Sequence, residues 1–331
     1  MNKTLKEYFS PMKKVKKGGP LGMGFWMFMA PEVATFIYAL FTVLVIFFTW
    51  TSLENPSDLL WQRLEFVSGT LALWMVYLLW PCKAVIGARI AYLLCMLGVW
   101  YPDTYSINCQ FPSLDYLFAG YEKALFGFQP ALVFSQLFSH PIVSELMYMG
   151  YFSYYLFFVV TLAILFFTRF YSLERAAFMI FAGLYICYVI FALLPVTGPQ
   201  YYYLAVGMDE IAAGNFPDVG HYFKDNMEAL RSPGWDKGLF YNLVQWAHHA
   251  GERPTAAFPS SHVAIATLVM VMVIKMRMWR WLLVLAVPFV FLCLSTVYIY
   301  AHYAIDAIAG FAFGIVLFFV LGGMKLHGAR G

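Results

Sequence analysis

The chain has 331 residues, of which 62% are hydrophobic, 20% aromatic and only 12% charged. Soluble domains carry roughly 25% charged residues, so that class is excluded, and a net charge of +3 is too small to argue for a nucleic-acid partner. Cys82, Cys95, Cys187 and Cys293 lie in or beside apolar runs, and only Cys109 sits in a polar stretch. That placement argues against a disulfide framework, and no zinc-ligand spacing occurs.

The apolar runs predict an all-α fold, a polytopic membrane helical bundle of about eight transmembrane helices. In chain order the candidate spans are 31–50, 62–80, 84–101, 147–168, 175–195, 261–277, 281–299 and 303–322, each near the ~20 apolar residues that cross a bilayer. The third is short and carries Arg89. An interfacial helix is the alternative there, and the bundle has six spans if the first part of the chain is interfacial.

Charge placement favours eight. With all eight crossing, one face collects Lys3, Lys6, Lys13, Lys14, Lys16, Lys17, Lys83, Arg169, Arg175, Lys275, Arg277, Arg280, Lys325 and Arg330, and the positive-inside rule makes that face cytoplasmic. The expected organisation is a basic cytoplasmic tail (1–30), N-terminal transmembrane helices (31–101) and an interfacial capping segment (102–146) broken by Pro112, Pro130 and Pro141. A membrane core follows (147–322) with an extracytoplasmic loop at 196–258, and then a short cytoplasmic tail (323–331). The N-terminal lysines and the long apolar segment after them read as an anchor, not as a cleaved signal. The absence of long tails favours a bacterial inner membrane, with a eukaryotic membrane facing a lumen as the alternative.

Two short motifs open apolar runs on the extracytoplasmic side. In Pro259-Ser260-Ser261-His262, proline and serine are helix-start signals, and the N–H groups exposed at such a start attract phosphate. His262 in the first turn could protonate a leaving oxygen. In His302-Tyr303-Ala304-Ile305-Asp306, a spacing of four puts histidine and carboxylate on one helical face. Asp306 is then expected to orient His302 by accepting from one ring nitrogen, leaving the other free for attack.

With Phe258 before the first motif, and Ser295-Thr296-Val297-Tyr298 before the second, the chain resembles the type 2 phosphatidic acid phosphatase superfamily. Within it, the nearest likeness is to the inositol phosphorylceramide synthase (inositolphosphotransferase) branch and its bacterial relatives. Weaker support comes from Ser113-Leu114-Asp115, Phe126-Gly127-Phe128-Gln129-Pro130, the Tyr151, Tyr154 and Tyr155 cluster, and Leu194-Pro195-Val196-Thr197-Gly198-Pro199. The resemblance runs from about residue 84 to 322. It implies a catalytic core with His302 as nucleophile, Asp306 as its orienting carboxylate and His262 as acid–base group. It implies a phosphohistidine-type intermediate, no cofactor and no metal.

The departures are informative. Thr296 stands where the phosphatase pattern has arginine, and Gln200 and Tyr300 stand where related bacterial sequences often have arginine. A phosphate monoester carries nearly two negative charges and suits guanidinium forks, whereas a phosphodiester carries one. The expected substrate-binding residues are Ser260, Ser261, Gln200, Tyr300 and Arg253.

The leading reading is therefore a phosphotransferase of lipid metabolism, moving a phosphoinositol-like head group from a glycerophospholipid to a lipid alcohol such as ceramide. The alternative is a lipid phosphate phosphatase with water as acceptor, for which Lys224 and Arg231 would be the phosphate clamp. A transporter is disfavoured because the motifs lie at one face and no broken-helix repeat occurs. His221, His248 and His249 are read as loop features, and Tyr201-Tyr202-Tyr203 as either packing or a sugar pocket.

Overall fold

The computed structural model describes residues 7–12 and 28–324, with the side chains of His249 and Ala250 outside that description. Most of the basic N-terminal tail and nearly all of the C-terminal tail therefore lie outside the described residues. Among the described residues all regular structure is helical.

The helices are α1 (Ala30–Phe48), α2 (Pro56–Leu79), α3 (Lys83–Asn108), α4 (Asp115–Phe126), α5 (Pro130–Leu137), α6 (Pro141–Thr168) and α7 (Phe170–Leu193). They continue with α8 (Pro199–Val206), α9 (Met208–Ala213), α10 (Leu239–Gly251), α11 (Ser261–Lys275), α12 (Trp279–Tyr298) and α13 (Ala304–Gly323). Proline opens many of them, as at Pro56, Pro130, Pro141 and Pro199, because the first turn needs no N–H from it and its fixed φ suits a helix start. Segment 102–146 contains the end of α3, the two short helices α4 and α5, and the first turns of α6.

Each of the eight predicted runs is a helix. Six are long and apolar enough to cross a membrane: α1, α3, α6, α7, α12 and α13. Helix α2 is less apolar because Gln62, Arg63 and Glu65 fall in its first half. Helix α11 is apolar but has 15 residues, about 22 Å at 1.5 Å per residue, against a hydrocarbon core of about 30 Å. Among the described residues the spans that length and composition support thus number six, as befits an integral membrane protein.

The described residues divide into two compact units, 7–12, 28–100, 159–185 and 320–324 in one and 101–158 and 186–319 in the other. In the first, Arg89 is 1% exposed and grips Glu32 with two nitrogens, Nε to Oε1 at 2.7 Å and Nη2 to Oε2 at 2.5 Å. Glu174 accepts from the Ala30 amide beside them. Pairing removes the cost of an isolated charge in an apolar setting, so Arg89 does not disqualify α3 as a span.

In the second unit α11 packs on α12, and α12 on α5. Helix α13 meets α11 through Gly310 and Gly314, a pair spaced by four. A Cβ at Gly310 would collide with the Ser260 carbonyl, and one at Gly314 with the Ala264 carbonyl. Small residues at this spacing allow two membrane helices to approach backbone to backbone. The contact joins the start of α11 to α13, the two elements that carry the histidine motifs. Gly314→Leu should force the helices apart, costing about 1–3 kcal/mol for overpacking and lowering turnover at least about tenfold through misplaced histidines. Thermal unfolding and initial rates in detergent would check both effects.

Candidate active site

Ser260 caps α11: its Oγ accepts from the Val263 amide at 3.4 Å, and its own N–H donates to the Asp306 carbonyl at 3.1 Å. The Ser261 and His262 amides are first-turn donors for which a helix has no acceptor of its own. The His262 ring lies between two tyrosines of α6, stacked on Tyr151 at 4.7 Å and tilted against Tyr154 at 4.1 Å. That packing holds the imidazole in one orientation.

His302 sits in the turn between α12 and α13 and is 3% exposed. Tyr300, at φ +70°, makes the reversal, and the His302 amide donates to the Thr296 carbonyl at 2.9 Å. The His302 Nδ1 is 2.7 Å from the Ala257 carbonyl oxygen. A carbonyl only accepts, so Nδ1 carries the proton and Nε2 presents a lone pair. Nε2 faces His262 Nδ1 at 3.4 Å. Burial pushes the His302 imidazole down to about 4, against the Ala257 hydrogen bond and the nearby Glu252 charge.

Asp306 is close but does not play the expected orienting part. Its Oδ2 is 3.8 Å from His302 Nδ1 and accepts instead from the Tyr303 amide at 2.9 Å. The four-residue rule requires both residues on the helix, and α13 starts at Ala304, so His302 precedes it. The backbone carbonyl of Ala257 takes the orienting place, and Asp306 fixes the turn that holds His302. Glu122 adds a second carboxylate at the same helix end, accepting from the Ala304 amide. Burial first, and Asp306 beside it, push Glu122 up to about 8.

A third carboxylate knits the surroundings. Asp115, fully buried, accepts from Ser113 Oγ (2.8 Å), the Thr197 amide (2.9 Å) and hydroxyl (3.0 Å), the Gly198 amide (2.9 Å) and the Tyr303 hydroxyl (3.2 Å). Two upstream segments that carried no chemistry in the sequence are thereby tied to the residue next to His302. Gly198 has φ +94°, and a Cβ there would run into the Ala301 carbonyl, so this turn lies directly on the one bearing His302.

The other candidates divide. Gln200 reaches the site indirectly, donating from Nε2 to Glu252 Oε1 at 3.1 Å. Glu252 Oε2 lies 3.0 Å from His248 Nε2, and Tyr151 meets His248 edge-on at 5.7 Å. Burial pushes the Glu252 carboxyl up, but His248, the Gln200 amide and His302 outweigh it and hold the group below its ordinary value. Neither Glu252 nor the placement of His248 was expected, although their spacing of four at the end of α10 was visible. Tyr300 turns away, its hydroxyl bonded to Ser135 at 2.8 Å. Arg253 is exposed and donates to the Glu252 carbonyl at 3.0 Å. Arg231, also exposed, lies 3.7 Å from Asp236. His221 is exposed. Tyr202 and Tyr203 are packing residues, bonded to the Pro217 carbonyl and to Gln129.

A helical membrane protein with two facing histidines at adjoining helix starts is the class that fold and site define. The profile of the PAP2 superfamily matches residues 118–320, and the chain belongs to that superfamily. Membership is consistent with a lipid phosphatase or phosphotransferase acting on membrane lipids. Searches of curated proteins and of solved structures returned no match.

Proposed function

We propose that the protein is a lipid head-group phosphotransferase, passing a phosphoinositol-like group from a glycerophospholipid to a lipid alcohol such as ceramide. The phosphodiester sits at the start of α11, against the Ser261 and His262 amides, with Ser260 and Ser261 lining the seat. His302 Nε2 attacks phosphorus and displaces diacylglycerol, whose oxygen takes a proton from the imidazolium form of His262. The bound phosphodiester anion favours that form against the burial that pushes this imidazole down in the free enzyme. The acceptor hydroxyl then gives its proton to His262 and attacks phosphorus, and the P–N bond to His302 breaks. Asp306 and the Ala257 carbonyl hold the His302 turn, while Arg253 and Gln200 border the site.

The observation that carries this reading is Glu252, an ionised carboxylate held beside the histidines by His248 and Gln200. A monoester dianion would be repelled there, and a diester with one charge far less so. An apolar groove of about 390 Å³, lined by Phe128, Pro130, Val133, Phe134, Leu137, Cys293, Leu294, Val297 and Ala304, reaches the first residue of α13 and suits a lipid tail.

The test is a detergent-micelle assay offering phosphatidylinositol with labelled ceramide, beside phosphatidic acid alone. Labelled inositol phosphorylceramide without free phosphate is the expected result. Phosphate release from phosphatidic acid with no transfer would make the protein a phosphatase and overturn the proposal.

A pH profile follows from His302. An ordinary imidazole protonates near 6.5, whereas this one stays neutral down to about 4, and the neutral form is the nucleophile. The His302-governed limb of kcat/KM should therefore lie below about pH 5, and a limb near 6.5 would contradict the assignment. The sign for stability is the same. Between about 6.5 and 4 the unfolded chain binds a proton that the folded chain refuses, so stability falls as pH drops through that window.

The same reading puts the site and loop 196–258 outside the cytoplasm. Phe240→Cys should react with an impermeant thiol reagent on intact cells; labelling only after lysis would reverse the topology.

A further inference from the structure

We infer that Glu252, with His248 and Gln200, forms the seat of the incoming alcohol, Glu252 accepting a hydrogen bond from a hydroxyl of that acceptor. The inference rests on the transferase reading above. Three observations carry it.

The first is access. Asp115 and Asp306 are fully buried, but the side chains of His248 and Glu252 keep 15% and 16% exposure. The Glu252 side chain thus keeps some exposure where the other two keep none. The second is chemistry. An ionised carboxylate only accepts, and its oxygens offer about four lone-pair positions. Gln200 takes one at Oε1 and His248 lies against Oε2, so positions remain. The phosphate of the diester has no donor to offer them, whereas a hydroxyl does, and the separation of the two half-reactions below tells a hydroxyl of the acceptor from one on the donor head group.

The third is position. Tyr151 shows its face to His262 and meets His248 edge-on, so one ring walls both. The pair thus stands on the side of His262, from which the acceptor enters. In that step the acceptor oxygen forms its bond to phosphorus as the P–Nε2 bond breaks. The electron pair returns to His302 and the hydroxyl proton goes to His262. Glu252 takes no proton; it holds a second hydroxyl of the same acceptor and so favours alcohol over water.

The test separates the two half-reactions of the full-length protein in micelles. Diacylglycerol released in a burst from phosphatidylinositol without acceptor reports the first; inositol phosphorylceramide formed with ceramide reports the second. For Glu252→Gln any loss in the burst should be at least tenfold smaller than the loss of turnover with ceramide. Turnover with ceramide should fall at least tenfold with a raised KM for ceramide, and Glu252→Asp should recover part of it. Burst and turnover falling in parallel, or turnover unchanged, would overturn the inference while leaving the histidine route intact. No burst from wild type would overturn both. Should Glu252→Gln fail to fold, His248→Gln carries the same two readouts.

Discussion

His302→Ala should lower turnover of every donor by at least about 10³-fold, the scale on which loss of a nucleophile acts in covalent catalysis. The effect is large because the residue has no understudy. His262 is wedged between Tyr151 and Tyr154 and cannot swing into the place of His302, and His248 is turned to Glu252. The substitution also removes the hydrogen bond to the Ala257 carbonyl, worth about 1 kcal/mol. That loss alone cannot unfold the protein, so the variant should elute as wild type from size exclusion. His262→Ala should be inactive as well, whereas His249→Ala should be nearly normal. Initial rates with phosphatidylinositol and ceramide decide the point, and a His302→Ala variant with more than a tenth of wild-type activity would remove the nucleophile assignment.

The second large effect is structural. Asp115→Ala strands the amides of Thr197 and Gly198 and the hydroxyls of Ser113, Thr197 and Tyr303 in a buried site. Each abandoned buried donor costs about 1–3 kcal/mol. The costs do not add fully because the turn can relax, so we expect a total of about 3–5 kcal/mol, the range for breaking a buried charged network. The Leu194–Pro199 segment would lose its anchor and the turn bearing His302 would loosen, so activity should fall with stability. Asp115→Asn keeps one acceptor oxygen but turns an NH₂ toward donors, and should recover only part of the loss. Thermal unfolding in detergent reads both, and an Asp115→Ala variant with unchanged midpoint would refute the knot.

The helices were legible because hydrophobic runs of span length leave little choice of structure. The borders slipped where local rules yield to packing: α6 begins at Pro141, six residues before the predicted 147, because proline is a good first residue. Arg89 read as an obstacle in α3 because its partner, Glu32, comes from another helix. The two histidines and the Ser260 cap were visible as motifs at helix starts. Asp306 was visible too, but its exact part depended on whether α13 began before or after His302, and one turn of uncertainty exchanged a side-chain carboxylate for the Ala257 carbonyl. Glu252 was hidden for a different reason. Its approach to His302 and Gln200 depends on how a long loop folds back, and hydrophobic periodicity says nothing about that. Tyr300 was chosen by analogy of position, and its positive φ sends the side chain to Ser135 instead.

The most direct test is to trap the intermediate. The purified protein would be mixed with phosphatidylinositol labelled at phosphorus, without acceptor, quenched in base and digested for mass spectrometry. The account predicts a phosphoinositol adduct on His302 that is stable to base, labile to acid, and discharged when ceramide is added before the quench. Continued synthesis of inositol phosphorylceramide with no label on any histidine would contradict it, and would mean that the head group passes from donor to acceptor in a single displacement.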